Sequence, residues 1–129
     1  IAVFGATFKP ETDDMRDAPS LVIVPALLGA GLTVSICDPH GALEGVGLLP
    51  GAEWVDDPYV AAQGADAVLV LTEWNMFRGL DLKRLRDGMA GDLLMDLRNV
   101  YRPEAAVEAG FDYRSIGRPP CDCVAMTVI

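Results

Sequence analysis

The stretch that decides the fold is Ile1-Ala2-Val3-Phe4-Gly5, taken together with Ser20-Leu21-Val22-Ile23-Val24-Pro25-Ala26-Leu27-Leu28-Gly29-Ala30-Gly31 and the following Leu32-Thr33-Val34-Ser35-Ile36-Cys37-Asp38. A short apolar run ending on glycine is the form of a buried strand. The apolar residues Leu21, Val24, Leu27 and Leu28 recur at helical spacing, with Gly29 and Gly31 where a helix ends. Pro25 removes one backbone donor and is expected to bend that helix. A second β-branched run then closes a strand-helix-strand unit, which implies a parallel pair of strands.

The pattern repeats outward. Strands are expected near residues 1–4, 32–37, 67–71 and 92–96, with weaker ones around Glu53–Val55 and Tyr113–Ile116. Helical segments are expected over Asp57–Gly64, over Leu80–Met89 with Leu82 and Leu85 on one face, and from Pro103 to Gly110. The expectation is an α/β fold: a three-layer α/β/α, Rossmann-like domain with a mostly parallel sheet of five or six strands.

Composition narrows the function classes. With 129 residues and 51% hydrophobic positions, the chain can bury one core and is too short for two ordinary domains. The opening Ile1–Gly5 has no basic flank or cleavage site, so it is expected to be a core strand of a chain that starts in mid-protein. Apolar runs are broken by Gly, Pro or Asp well short of the roughly 20 residues a bilayer span needs, so no membrane association is expected. Nineteen acidic against ten basic side chains give a formal charge of −9, which argues against a nucleic-acid partner. Three cysteines, Cys37, Cys121 and Cys123, fit a reducing, cytoplasmic setting. The Cys121/Cys123 pair lacks a second ligand pair, and the single histidine, His40, sits in a Pro-His-Gly turn, so no metal site is expected. The same lone histidine leaves no nucleophile with a base.

In an open parallel sheet ligands bind outside the carboxyl ends of the strands. The residues there are Thr7-Phe8-Lys9-Pro10, Asp38-Pro39, Thr72-Glu73-Trp74-Asn75 and Leu97-Arg98-Asn99. Lys9 and Arg98 thus come from distant points to one rim, where a point charge and a bidentate fork can hold a pyrophosphate. Asp13, Asp14 and Asp17 could instead pair with either cation, and on these residues alone both readings stand. Gly5-Ala6-Thr7-Phe8-Lys9-Pro10 lacks the later glycines of a dinucleotide loop, so no NAD-binding half is expected here. Asp38 resembles a ribose-binding acid, but without that loop a surface or capping role is preferred. Trp74 and Phe77 are placed in a loop, where covering the core edge is the simpler reading than stacking on a base.

Three motifs carry a family resemblance. Phe8-Lys9-Pro10-Glu11-Thr12-Asp13-Asp14-Met15-Arg16-Asp17-Ala18-Pro19-Ser20 resembles the F-K-P-x-T-D-D-x-R-x-[AS]-P-S signature that opens the C-terminal domain of the UDP-glucose/GDP-mannose dehydrogenase family. Leu71-Thr72-Glu73-Trp74-Asn75-Met76-Phe77-Arg78 and Asp96-Leu97-Arg98-Asn99-Val100-Tyr101 are similar to its L-T-E-W-x-x-F and D-x-R-N-x-[YF] stretches, and favour the UDP-glucose 6-dehydrogenase branch over the GDP-mannose and UDP-N-acetylmannosamine branches.

The resemblance implies a UDP-binding domain over residues 1–118, followed by a tail of unknown role over 119–129. It implies an enzyme that oxidises UDP-glucose to UDP-glucuronate with two NAD, bound mainly by an N-terminal domain, and a homodimer built on a central domain. A cysteine outside this chain would hold the aldehyde-level carbon. By motif position, Phe8, Lys9 and Arg98 would contact the UDP-sugar and Arg16 would reach the NAD. The chain alone is expected to be inactive. Its rivals are a nucleotide-sugar-binding module without catalysis and a purely structural domain.

Overall fold

A computed structural model describes residues 1–6, 20–38 and 49–115. Phe8, Lys9, Arg16, His40, Cys121 and Cys123 lie outside the described residues. Six strands form one sheet: β1 (Ala2–Phe4), β2 (Ser35–Cys37), β3 (Glu53–Trp54), β4 (Ala67–Val70), β5 (Leu93–Asp96) and β6 (Asp112–Ser115). Their order is β3-β2-β1-β4-β5-β6, and all five pairings are parallel. Among the described residues the sheet is therefore wholly parallel, where "mostly parallel" was expected.

The described helices are α1 (Ser20–Gly29), α2 (Pro58–Ala62), α3 (Asn75–Arg78), α4 (Leu82–Gly88) and α5 (Pro103–Glu108). α1 continues through Pro25. It ends as the two glycines suggest: Leu32 N–H donates to Leu27 O at 3.1 Å while Gly31 takes φ +87°. Asp57 and Asp81 cap α2 and α4 by accepting from the backbone N–H of Tyr59 and Arg84.

Strand residues alternate between two cores, as a pleated sheet requires. Val3, Ile36 and Leu71 pack with Val24 of α1 on one face. Ala2, Phe4, Val68, Val70 and Leu94 pack on the other with Ala61 of α2, Phe77 of α3, Leu85 of α4 and Ala106 of α5. The three residues of β1 are each 0% exposed, which is why that strand reads as a continuous apolar run.

One expectation needs correcting. Trp74 and Phe77 do not lie in an open loop, because Asn75–Arg78 form one helical turn with Trp74 as its N-cap. Both rings belong to the core, and Phe77 stacks on Phe4 with centroids 5.0 Å apart.

Candidate functional site at the carboxyl rim of the sheet

Sheet order reverses between β1 and β4, so the crevice at their carboxyl ends is the switch point. The two chains part there at very close range. Gly5 adopts φ +92°, and a Cβ on it would stand 2.7 Å from the backbone nitrogen of Thr72. Only glycine fits, because any side chain would meet both a left-handed backbone and a fixed neighbour.

Just beyond Gly5, Ala6 is held on both sides of its backbone. Its N–H donates to Asp38 Oδ2 at 2.6 Å, and its carbonyl accepts from the Ser20 hydroxyl at 2.6 Å. The reason is hydrogen-bond supply. The β1–β2 ladder ends with Gly5 N–H donating to Cys37 O, so the next buried donor needs an acceptor that no strand provides. Asp38 is thus buried and turned inward, which corrects the surface half of its expected surface-or-capping role. It fixes Ala6, the last described residue after β1.

The turn after β5 is built on Asp96, which is 0% exposed. Its Oδ1 accepts from Arg98 N–H at 3.2 Å, and its Oδ2 accepts from Tyr101 N–H at 2.8 Å. The Tyr113 hydroxyl donates toward the same Oδ2 at 2.7 Å, with Tyr101 O a second acceptor at 3.0 Å. Asn99 takes φ 55°, a conformation that asparagine tolerates better than most residues. The Tyr101 hydroxyl donates to Phe77 O at 2.6 Å, tying this turn to α3.

Arg98 is thereby held at the rim and half-exposed. Its Nε donates to Leu71 O at 2.9 Å and lies 3.5 Å from Glu73 Oε2. Among the described residues its terminal nitrogens take no hydrogen bond. Among the described residues, no hydrogen-bond partner occupies the edge of the guanidinium suited to a bidentate anion contact. Of the residues expected to meet a UDP-sugar, Arg98 is the one described; Phe8 and Lys9, and Arg16 expected to reach the NAD, lie outside the described residues.

Two cavities among the described residues lie away from this rim. One of about 270 Å³ lies at the opposite, amino edge, where Thr33, Ser35, Gln63 and Asp66 line it. Its one charged side chain is acidic, which suits no diphosphate. Another, of about 360 Å³, runs between α4 and α5 beside Leu82 and Ala105. No group of three His, Cys, Asp or Glu side chains among the described residues could hold a metal, and none of the described helices is long and apolar enough to cross a membrane. Cys37 is buried, and burial, then the charges of Asp38, Asp57 and Asp56, push its thiol up to about 12. A thiol so disfavoured as thiolate is no nucleophile near neutrality.

Residues 2–103 match the model of the UDP-glucose/GDP-mannose dehydrogenase family, UDP binding domain. The chain belongs to that family. A UDP-glucose 6-dehydrogenase of Rhizobium meliloti (strain 1021) is 51% identical over 119 residues, covering 92% of this chain and 27% of that protein. One from Pseudomonas aeruginosa is 43% identical over 92% of this chain and 28% of its own length. Among solved structures, an NDP-N-acetyl-D-galactosaminuronic acid dehydrogenase from Methanosarcina mazei Go1 superposes with a TM-score of 0.78 at 30% identity, over 91% of this chain and 24% of that one. The chain spans little more than a quarter of the length of these UDP-glucose 6-dehydrogenase relatives.

The sequence did not single out Ser20, Asp96, Tyr101 or Tyr113 as supports of the rim. A signal was present for Asp96: an aspartate closing an apolar run, with Asn99 three positions on, is the composition of a side-chain-stabilised turn.

Proposed function

We propose that this chain is the UDP-sugar-binding domain, over residues 1–118, of a cytoplasmic, NAD-dependent UDP-glucose 6-dehydrogenase that oxidises UDP-glucose to UDP-glucuronate. Arg98 and Lys9 grip the diphosphate, Phe8 packs on the UDP-sugar, and Arg16 reaches the NAD. Other parts of a homodimeric enzyme supply the dinucleotide fold and the nucleophilic cysteine, and residues 119–129 are a tail.

The observation that carries this reading is the Arg98 guanidinium at the switch-point rim, whose terminal nitrogens take no hydrogen bond among the described residues. Its Nε is anchored on Leu71 O, next to the Thr72 that Gly5 abuts, so the exit of β1 and Arg98 flank one crevice. Lys9 follows Ala6 by three positions, so chain length alone keeps its Cα within roughly 11 Å of Ala6. A point charge and a planar fork are then both available to one diphosphate.

The described residues do not make a dinucleotide cradle of their own. Asp38, where a ribose-binding acid would stand, already takes the N–H of Ala6. NAD, the hydride acceptor, is therefore assigned to another domain, and this chain binds and orients the substrate while having no chemistry alone.

Titration calorimetry of the chain with UDP and UDP-glucose tests the reading. Salt-sensitive binding that is lost in Arg98→Ala and in Lys9→Ala is expected. Tighter binding of GDP than UDP would move the chain to the GDP-mannose branch, and no heat with any nucleotide would favour a structural domain.

A further inference from the structure

We propose that Glu73 is a built-in counter-charge that weakens the hold of Arg98 on the diphosphate, and so sets how readily the nucleotide leaves. The inference rests on the reading that Arg98 grips that group.

Among the described residues two groups meet the inner side of the guanidinium, and they act differently. Leu71 O accepts a hydrogen bond from Nε at 2.9 Å, which fixes the direction of the side chain. Glu73 Oε2 stands 3.5 Å from the same Nε, too far for a well-formed charged hydrogen bond. Its influence is through charge. The side chains are 35% and 31% exposed, so this pair adds little to folding, and its loss should leave the domain intact.

A diphosphate seated on the terminal nitrogens would bring its oxygens within roughly 9 Å of that carboxylate, with the guanidinium between them. Glu73 then acts twice against the ligand: it partly neutralises Arg98 and it repels the phosphate directly. Arg98 keeps its anchor on Leu71 if the carboxylate is removed, so orientation and charge can be separated experimentally.

Such weakening has a use. Substrate and product of the proposed reaction carry the same diphosphate, and a grip shared equally by both speeds no chemical step while delaying release.

Glu73→Gln keeps the size and polar contact and removes the charge. Titration of the chain with UDP at low ionic strength should show the dissociation constant falling about two- to fivefold. The gain should shrink as salt shortens the screening length from about 30 Å at 0.01 M to about 3 Å at 1 M. A role for Glu73 as a mere brace of Arg98 predicts the opposite sign. Unchanged or weaker UDP binding in Glu73→Gln overturns the inference alone, provided Arg98→Ala has lost binding. If Arg98→Ala still binds UDP as the wild type does, or if neither wild type nor Glu73→Gln binds UDP, the reading beneath it falls too.

Discussion

Replacing Asp96 by asparagine should destabilise the whole domain, although the two side chains have nearly the same shape. Asp96 offers two acceptor oxygens to two backbone donors: Oδ1 to Arg98 N–H and Oδ2 to Tyr101 N–H, with the Tyr113 hydroxyl also directed at Oδ2. Asparagine has one carbonyl oxygen for these two N–H groups. Whichever way the amide turns, its NH2 faces a backbone donor, the buried Tyr101 N–H or the part-buried Arg98 N–H, and that donor loses its partner. An orphaned buried donor costs about 1–3 kcal/mol, and the lost charge-assisted strength of the remaining bond about another 1 kcal/mol. Tyr113 can redirect its hydroxyl to Tyr101 O, so it adds no third penalty. The sum of about 3 kcal/mol corresponds to a fall in Tm of roughly 10–15 °C for a domain of this size. Differential scanning calorimetry of Asp96→Asn beside Tyr113→Phe measures it, the latter being expected to cost only about 1 kcal/mol because it removes a hydroxyl and orphans no backbone donor. A fall of no more than 2 °C in Asp96→Asn, or one matched by Tyr113→Phe, would refute the reasoning that two backbone donors compete for this carboxylate.

Two more outcomes follow from the same geometry. Gly5→Ala combines a left-handed backbone with a Cβ pressed on Thr72 and should cost about 3 kcal/mol or more, whereas Gly64→Ala, at φ +73° with nothing within 4 Å, should cost only about 1–2 kcal/mol; equal urea midpoints for the two would contradict the close approach at the switch point. The thiol of Cys37 goes from 9.0 to about 12 on folding, so the unfolded chain releases its proton first, and the stability this contributes is complete below pH 9 and drains away as pH climbs toward 12. Denaturation midpoints at pH 8 and pH 10.5 should therefore drop further in the wild type than in Cys37→Ala, and a steeper drop in the alanine variant would refute the assignment.

Much of the fold was legible because its signals are local. All six strands lie within, or one residue outside, the segments expected to form them, including the two-residue edge strand β3, Glu53–Trp54. The run Leu32–Cys37 yields a strand only from Ser35, since Leu32 still belongs to the helix cap through its bond to Leu27 O. The turn Asn75–Arg78 escaped notice for a different reason. Four residues give no helical periodicity to detect, and Trp74 makes no side-chain cap bond there.

The rim was legible only in part. The rule that ligands meet strand ends locates Arg98 from sequence, but where the residue is held depends on long-range bonds that no spacing reveals. Asp38 shows the difference well. As a residue at a strand end it is expected on the surface, yet it is buried, where it accepts the N–H of Ala6, thirty-two positions away.

The same bonds explain why two of the sequence motifs occur together. In Asp96-Leu97-Arg98-Asn99-Val100-Tyr101, the aspartate supplies the acceptors that shape the turn, the asparagine allows its left-handed step, and the tyrosine reaches Phe77 O. Phe77 closes Leu71-Thr72-Glu73-Trp74-Asn75-Met76-Phe77, and the first residue of that stretch holds Arg98 Nε while the third lends it a negative neighbour. Phe77 in turn stacks on Phe4, the last residue of β1 before the Gly5 that only a bare backbone can fill. Two segments that look independent in sequence are thus one device. Loss of Asp96 or of the Leu71 anchor should shift Arg98, because the first holds its backbone N–H and the second its Nε.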